Sequence, residues 1–392
     1  MNSTRSAEVP AAGASTPFRF YDNRQKYLAF VTTTNEKSAI SRRAIQELHQ
    51  ITPKPPAIRL FDAGMGDATV LANLMRGAHQ RFSTLPLYVV AKEISLEDVR
   101  LGLERMADRF HEHPATVLVI TNMTYAEAPH LTPADAQVAA ALNWEVVRLT
   151  GNSSHEYAEQ IEQLGARLAR GWATRVSPKS GNPVYVRPSV LVLYREDQQF
   201  LLDQVIPRPG RVLHGYDLVL ASQPWRARMS AQFKTQRVLA PLARSLAPGG
   251  RLLAIQSAGR DPALEIIQKL WPNEDPFQVD RHQLLAALKS ELGRLAREFS
   301  WPSQSDERAR FRYDMRTMPS EIGDRIGTST LYAAWNAAIY VNQIEDERLD
   351  AVVQNGSYLE ATQAVLRKHG GLWFNDESFV VTRRSGSAAH AL

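Results

Sequence analysis

The sequence predicts an α/β protein with a central, mostly parallel β-sheet and helical insertions, on the strength of three observations. Short apolar runs of strand length recur at residues 58–61, 87–91, 117–120, 216–221 and 252–255. These runs show little polar alternation, which is typical of strands that are buried on both faces, as in parallel sheets. Helical periodicity and helix-start signals fill much of the chain between them.

The first run leads into a glycine turn around which the rest of the chain is organised. Residues 62–67 read Asp-Ala-Gly-Met-Gly-Asp, and an apolar, helix-competent segment continues to residue 71. This pattern predicts a buried strand, a tight turn and the start of a helix. Gly64 and Gly66 allow positive φ or a close approach of backbone to ligand. The helix that follows presents unpaired N–H groups in its first turn.

The charges beside the turn favour one class of ligand. A pyrophosphate-binding loop has three glycines and no acid against the phosphates. Here Thr69 stands in the place of the third glycine, and Asp62 and Asp67 flank the turn. Such a turn repels a diphosphate and suits a cationic ligand with an amino group. The alternative interpretation is a plain strand-to-helix connection.

Polar residues also follow the next two apolar runs. The second run ends at Glu93, and Ser95 begins a helix through a capping pattern. The third run ends at Asn122 and Met123. After the fourth run and a helix, Pro-Gly-Gly at residues 248–250 forms a turn into the fifth run.

This series of elements resembles the class I, Rossmann-like S-adenosylmethionine (SAM) dependent methyltransferases over about residues 58–256, with gaps. Motif I of that family is Asp/Glu-x-Gly-x-Gly, and Asp62, Gly64 and Gly66 match it. The resemblance implies a Rossmann-like methyltransferase fold, S-adenosyl-L-methionine as the cofactor and methyl transfer as the activity. It also implies that Asp62 and the two glycines lie at the methionine end of the cofactor.

The same resemblance assigns further cofactor contacts. It implies that Glu93 accepts hydrogen bonds from both ribose hydroxyls and that Asn122, followed by Met123, lies near the adenine amino group. In this family the segment before the first strand often closes over the cofactor. Tyr21, Arg24 and Tyr27 are therefore expected near the sulfonium or the carboxylate. The alternative is that these aromatic residues only pack their segment onto the fold.

The fourth run ends in Ser-Gln-Pro-Trp at residues 222–225. This resembles the Asn/Asp/Ser-Pro-Pro-Tyr/Phe/Trp tetrapeptide of amino-methyltransferases, with glutamine in place of the first proline. The resemblance implies that Ser222 and the carbonyl of Gln223 hold a target nitrogen and that Trp225 stacks on the acceptor. The alternative is a strand end with a packing tryptophan.

The domain organisation follows from these assignments. We expect a disordered tail at residues 1–17, a cap or lid at 18–57, a methyltransferase-like domain at 58–384 and a second tail at 385–392. Insertions are expected at about 130–210 and 260–305. Within the first of these, Pro188 interrupts a strand-like pattern and makes a central sheet position unfavourable for the residues before it.

Composition limits the chemistry. The 392 residues are 44% hydrophobic and 22% charged, an ordinary globular balance. The absence of cysteine excludes disulfides, thiolate metal sites and a cysteine nucleophile. No metal site is expected, because His111 and His113 fit a solvated helix end without a third ligand. The absence of an ~18-residue apolar run argues against a membrane span, and a cytoplasmic location fits both absences.

Three functions remain open from the sequence. The first is a methyltransferase with a small-molecule acceptor, favoured by the long insertions and the aromatic N-terminal segment. The second is a methyltransferase that acts on RNA or protein, for which the formal charge of +5 is weak support because basic residues are spread along the chain. The third is a SAM-binding scaffold or regulatory protein without transfer activity. The oligomeric state is not predicted.

Overall fold

The computed structural model describes residues 24–178, 183–317, 319–322 and 326–385. Tyr21 lies outside the described residues. The strands are β1 (Ile58–Asp62), β2 (Leu87–Lys92), β3 (Thr116–Thr121), β4 (Asn143–Leu149), β5 (Thr174–Val176), β6 (Pro183–Tyr185), β7 (Ser189–Arg195), β8 (Tyr216–Ser222), β9 (Leu246–Ser257), β10 (Phe299–Ser300), β11 (Arg310–Asp314) and β12 (Trp373–Arg383).

Helices fill the connections between the strands. They are α1 (Arg24–Thr33), α2 (Glu36–Leu48), α3 (Thr69–Arg81), α4 (Leu96–Glu104), α5 (Ala107–Glu112), α6 (Ala136–Ala140), α7 (Ser154–Glu162), α8 (Gly165–Gly171), α9 (Ala231–Lys234), α10 (Ala240–Arg244), α11 (Pro262–Leu270), α12 (Arg281–Leu292), α13 (Asp306–Ala309), α14 (Thr328–Val341), α15 (Leu349–Gln354) and α16 (Ser357–His369). Among the helices of the described residues, none is long and apolar enough to span a membrane.

Five neighbouring strands form the parallel centre of the sheet, in the order β3-β2-β1-β8-β9. The chain moves outward from β1 to β3 and later returns to place β8 on the other side of β1. This is the 3-2-1-4-5 order of doubly wound Rossmann-like sheets. The sequence prediction of a Rossmann-like, mostly parallel α/β fold is confirmed. Because the order reverses between β1 and β8, a crevice opens at the carboxyl ends of these strands.

Antiparallel strands extend the sheet at both edges. On one side β12 pairs with β9 and carries β10 and β11. On the other side β7 pairs antiparallel with β3 and parallel with β4. Pro188 separates β7 from β6, which pairs only with β5 in a two-stranded sheet. The segment before the proline therefore stays out of the main sheet, as the sequence predicts.

Both faces of the sheet are covered, which explains the unbroken apolar runs. Alternate strand residues point to opposite faces, so Leu60 packs with α2 and α3 while Phe61 packs with α10 and α12. Both side chains are at most 1% exposed. Each such side chain contributes about 1.5–3 kcal/mol when it is fully buried.

A third hydrophobic cluster anchors the N-terminal helix. Phe30 of α1 is buried, and its ring centroid lies 4.9 Å from that of Tyr340 in α14 and 5.9 Å from that of Phe374 in β12. The C-terminal third of the chain therefore holds α1 against the body of the fold. This places α1 and the start of α2 beside the carboxyl edge of the sheet.

Candidate ligand site at the carboxyl edge of the sheet

The glycine turn after β1 contains a buried acid with an unused oxygen. Asp62 is 1% exposed, and its Oδ1 accepts a hydrogen bond of 3.1 Å from the backbone N–H of Gly64. Its Oδ2 has no hydrogen-bond partner within the described part of the chain. Asp67, at the start of α3, accepts from the Thr69 backbone N–H and hydroxyl at 3.2 and 2.6 Å. Asp62 is therefore the acid of this turn that keeps an oxygen for a ligand.

Glu93 joins the end of β2 to the glycine turn. Its Oε2 accepts from the Gly66 backbone N–H at 2.9 Å, while its Oε1 accepts from the N–H groups of Ile94 and Ser95 at 2.7 and 2.9 Å. A carboxylate offers about four acceptor positions. Three are in use, so Glu93 retains one position for a ligand hydroxyl.

The two glycines of the turn have different surroundings. A Cβ added to Gly64 would meet no described atom within 4 Å, so this glycine faces open space. A Cβ at Gly66 would lie 3.1 Å from the Tyr27 hydroxyl, and Gly66 has a φ of +51°. The site is thus open above Gly64, while Tyr27 of α1 covers Gly66.

A lysine that the sequence prediction missed lies in this cover. The Lys37 ammonium is 3.7 Å from the Glu36 carboxylate and 5.5 Å from the centroid of the Tyr27 ring. Burial by itself lowers the pKa of Lys37, but Tyr27, Glu36 and Asp67 together raise it above its ordinary value. A lone lysine in a helix has no sequence signal, and only the packing of α1 and α2 brings it here.

Arg24, which the sequence also predicts to lie near the cofactor, is the first residue of α1.

Burial changes the proton affinity of the acids at this edge. It raises the pKa of Asp62 to about 6, and the charge of Glu93 adds to the effect. Burial followed by the charge of Glu93 likewise raises the pKa of Asp98 to about 6. Burial disfavours the charged carboxylate, and a nearby positive charge favours it. A cationic ligand would therefore bind favourably here, because its positive charge stabilises carboxylates that burial disfavours.

Asn122 lies at the end of β3, but its amide serves the inserted strands. Nδ2 donates to the carbonyl oxygens of Gly171 and Arg187, both at 3.1 Å, and Oδ1 accepts from the Ser189 backbone N–H at 2.9 Å. Met123 is fully buried in a hydrophobic cluster. Asn122 therefore holds the sheet extension, and both donors of its amide are in use.

Tyr125 connects the two halves of the crevice and was not singled out from the sequence. Its hydroxyl donates to the Pro224 carbonyl oxygen at 3.0 Å, and the Lys92 ammonium lies 4.7 Å from its ring centroid. Burial raises the pKa of Tyr125, and the carboxylates of Glu93 and Asp62 contribute. Tyr125 therefore forms a wall between the acids after β1 and β2 and the loop after β8.

The loop after β8 contains the residues predicted to contact an acceptor. Ser222 is the last residue of β8, and Gln223 has a φ of +50°, unusual for a residue other than glycine. The Gln223 Nε2 donates to Ser257 Oγ and to Asp376 Oδ1, both at 3.1 Å. Trp225 is buried, and its Nε1 donates to Gln256 Oε1 at 3.0 Å. The structure brings these residues together at the ends of β8 and β9.

A cavity of about 10 Å³ lies between these residues, lined in part by Gln223, Trp225, Lys234 and Ser257. This volume accommodates about one water molecule. Lys234 is the second lysine that the sequence prediction missed. Among the described residues, no group of three His, Cys, Asp or Glu side chains is placed to hold a metal ion.

No protein-family model matches the sequence, and no curated protein matches it. Solved structures with a similar fold include StiE O-MT residues 961–1257, at 12% identity, covering 90% of this chain and 75% of that chain, with a TM-score of 0.34. Geranyl diphosphate methyltransferase in complex with SAM is 13% identical, covers 88% and 85% and has a TM-score of 0.33.

A SAM-dependent methyltransferase from Thiobacillus denitrificans, in complex with S-adenosyl-L-homocysteine, is also similar. It is 13% identical, covers 94% of this chain and 100% of that chain, and has a TM-score of 0.32. With TM-scores below 0.5, these likenesses carry no argument about activity. The fold assignment rests on the strand order, and the functional assignment rests on the site.

Proposed function

We propose that the protein is a SAM-dependent methyltransferase with a small-molecule acceptor. The unpartnered Oδ2 of buried Asp62, beside the open face of Gly64 at the sheet's switch point, is the observation that carries the proposal. SAM has a positive sulfonium, an amino group, a carboxylate and two ribose hydroxyls. Each needs a different kind of partner.

The residues at the edge fit those groups. Asp62 suits the amino group, because a buried carboxylate with an unused oxygen gains from a cation. Lys37 suits the carboxylate, and Glu93 has one acceptor position for a ribose hydroxyl. The Tyr27 hydroxyl lies over Gly66, and the Tyr27 ring suits the sulfonium, a contact worth about 0.5–2 kcal/mol. Asn122 and Met123 are left out of this set, because the former holds inserted strands and the latter is in the core.

When bound, SAM supplies a methyl group that its sulfonium already activates. The protein's contribution is therefore to bind, orient and exclude water. Alignment of an acceptor with the transferred group is worth about 7–11 kcal/mol when the geometry is well held. The hydrogen bonds of Gln223 and Trp225 hold the loop after β8 against β9 and so provide a rigid acceptor wall. Ser222, Gln223 and Trp225 are proposed to lie beside the acceptor.

The cavity lined by Gln223, Trp225, Lys234 and Ser257, called the cleft below, is narrow and so favours a small acceptor over a folded macromolecule. One feature favours RNA as a second candidate. A surface groove of about 700 Å³ between α2 and β11 is lined by six arginines: Arg42, Arg43, Arg251, Arg308, Arg310 and Arg312.

Much of the charge of this arginine groove is already balanced. Glu47 pairs with both Arg43 and Arg251, at 2.6 Å each, and Asp306 pairs with Arg310 at 3.4 Å. RNA binding is therefore the second candidate. It predicts an affinity that falls steeply with salt, measurable by fluorescence anisotropy of labelled single-stranded RNA between 50 and 200 mM salt. Absence of RNA binding at the lowest salt concentration would remove the RNA candidate.

The test of the proposed function uses the contrast between two glycines with open surroundings. Gly64→Val fills the space beside Asp62, whereas Gly165→Val places the same side chain on α8, where a Cβ also meets no described atom within 4 Å. Calorimetric titration should give micromolar SAM binding for the wild type and for Gly165→Val. Gly64→Val should lose at least a hundredfold in affinity while remaining folded by circular dichroism.

Absence of SAM binding in folded wild-type protein overturns the proposal. Methyl transfer is then followed from SAM with a labelled methyl group into a small-molecule extract and into total RNA. Label in the small-molecule fraction supports the favoured function, and label in RNA supports the second. Binding without transfer to either fraction favours a non-catalytic SAM-binding scaffold.

A further inference from the structure

We propose that Lys234 is the general base of this protein, taking the proton from a hydroxyl or amino group of the acceptor in the cleft at the ends of β8 and β9. This inference rests on the proposed function and deepens it. It assigns the acceptor to compounds whose reacting atom carries a removable proton. It also gives a role to a lysine that no motif singles out.

Lys234 is held in the wall of the cleft. It is 1% exposed and ends α9, directly before a π-helical turn at Thr235–Leu239. Turns of this kind are rare and frequently occur at functional sites. The Nζ donates to the Ala227 carbonyl oxygen at 2.9 Å and lies 3.5 Å from Gln256 Oε1 and 5.7 Å from the centroid of the Trp225 ring.

Among the residues that the structure describes, no carboxylate forms a close ion pair with Lys234. Glu377 of β12 is the carboxylate that acts on it, but Glu377 accepts from the Arg281 backbone N–H at 2.8 Å and lies 3.6 Å from the Arg281 guanidinium. The neighbouring Asp376 has its pKa raised well above the ordinary value, first by burial and then by the charge of Glu36. Its Oδ1 accepts a hydrogen bond from Gln223 Nε2.

Burial consequently lowers the pKa of Lys234 to about 8, although Glu377 acts in the opposite direction. About a tenth of the lysine is the free amine at pH 7 with such a value. A free lysine amine is a proton acceptor, and a base is most effective when its pKa is near the working pH. The location of Lys234 in the cleft makes this property available to a bound molecule.

The size and position of the cleft select what approaches the lysine. Its volume of about 10 Å³ suits a single polar group, such as a hydroxyl or an amine, and not a whole acceptor. The cleft is adjacent to the cofactor half of the crevice, because Tyr125 contacts the loop after β8 through the Pro224 carbonyl oxygen. In the proposed arrangement, the reacting end of the acceptor enters between Lys234 and the open space beside Gly64.

The proposed step couples a proton transfer to the methyl transfer. The acceptor's O–H or N–H proton passes to the lone pair of Lys234 Nζ, which becomes an ammonium. The acceptor's lone pair forms the bond to the transferred methyl carbon, and the electron pair of the broken C–S bond stays on sulfur. The lysine returns its proton to solvent after the product leaves. No oxidant, reductant or further reactant is needed.

The first test measures the lysine itself, without SAM. Protein labelled with ¹⁵N at the lysine Nζ atoms is titrated by NMR from pH 6 to pH 11, and the Lys234 signal is assigned by its loss in Lys234→Met. The expected signal titrates near pH 8. Titration above pH 10 overturns the assignment, because the lysine would then stay protonated at working pH.

The second test separates the base from the cofactor site. Lys234→Met and Lys234→Arg should bind SAM within threefold of the wild type but transfer less than 1% of the label into the small-molecule extract. Exposed Lys269→Met is the control with normal transfer. Wild-type transfer should rise with pH through about 8. Normal transfer and an unchanged pH profile in Lys234→Met overturn the inference alone, whereas absent SAM binding in the wild type overturns the proposed function as well.

Discussion

The two halves of the carboxyl edge hold buried ionisable groups of opposite sign. Beside β1 and β2, burial raises the pKa values of Asp62 and Asp98 to about 6. Beside β8 and β9, burial lowers the pKa of Lys234 to about 8. In both halves desolvation opposes the charged form. A bound cation therefore stabilises the carboxylates of the first half. The second half favours the uncharged lysine, which a bound group leaves neutral until a proton is transferred.

The halves also differ in openness. The acid half borders open space at Gly64, whereas the lysine half encloses a cavity of about 10 Å³. The cavity of the lysine half has room for a single polar group. This difference is the basis for proposing separate halves for the cofactor and the acceptor, with Tyr125 between them.

The largest effect is expected for Asp62→Asn, which removes the charge of the acid half. SAM affinity should fall roughly 10–150-fold, because a hydrogen bond to a charged group is worth about 1.5–3 kcal/mol. Calorimetry measures this loss. The Gly165→Val protein serves as the unaffected control, and unchanged affinity in Asp62→Asn would show that this acid does not face the ligand.

Lys234→Met should raise the free energy of unfolding, and the size of the increase should depend on pH because the pKa of Lys234 is lowered in the folded state. The folded pKa of about 8 lies below the ordinary value of 10.5, so the folded state resists protonation. This cost is full below pH 8 and disappears as pH rises through 10.5. The variant should therefore be more stable than the wild type by about 1–3 kcal/mol at pH 7, with the gain shrinking toward pH 10.5.

Urea unfolding at pH 7, 9 and 10.5 measures that gain. Lys269→Met, at an exposed position on α11, should show no comparable pH-dependent change. A stability difference that stays constant across the three pH values would mean that the folded and unfolded pKa values of Lys234 are the same.

The smallest effect is a proton release that reports the acid half. Asp62 is about half protonated at pH 6, given its pKa of about 6, and a bound cation lowers that pKa. SAM binding at pH 6 should release roughly half a proton, and binding at pH 8 should release almost none. Calorimetry in buffers of different ionisation enthalpy measures the difference. Release of the same size from Asp62→Asn would assign the proton to another group, such as Asp98.

Local sequence patterns singled out the residues of the acid half, and the resemblance to the class I methyltransferases implied that they share one site. Asp62, Gly64 and Gly66 follow one strand, and Glu93 follows the next strand in the chain. Parallel strands that are consecutive in sequence usually lie side by side, so their carboxyl ends meet at one edge. The structure places Glu93 against the Gly66 backbone N–H, at 2.9 Å. The proximity of these residues is therefore encoded within about 35 positions of the chain.

The contacts of Asn122 depend on distant parts of the chain. Its position after β3 is the one the sequence predicts, but its amide bonds to Gly171, Arg187 and Ser189, which come from the insertion. Nothing near Asn122 in the sequence indicates that β7 pairs with β3. The chain between β3 and β7 carries no local signal for this pairing, because the register depends on which distant strand lies beside the free edge of β3.

The sequence by itself, together with its resemblance to the class I methyltransferases, determined the Rossmann-like, mostly parallel α/β fold, the glycine turn and the acids that follow the first two strands, since strand periodicity and turn chemistry are local properties. Only the tertiary structure decided that Lys37 lies beside the Tyr27 ring, that Tyr125 bridges to Pro224 and that Lys234 is buried beside Trp225. These single residues acquire their chemistry from desolvation and from charges brought by distant elements, and neither can be read from neighbouring positions in the chain.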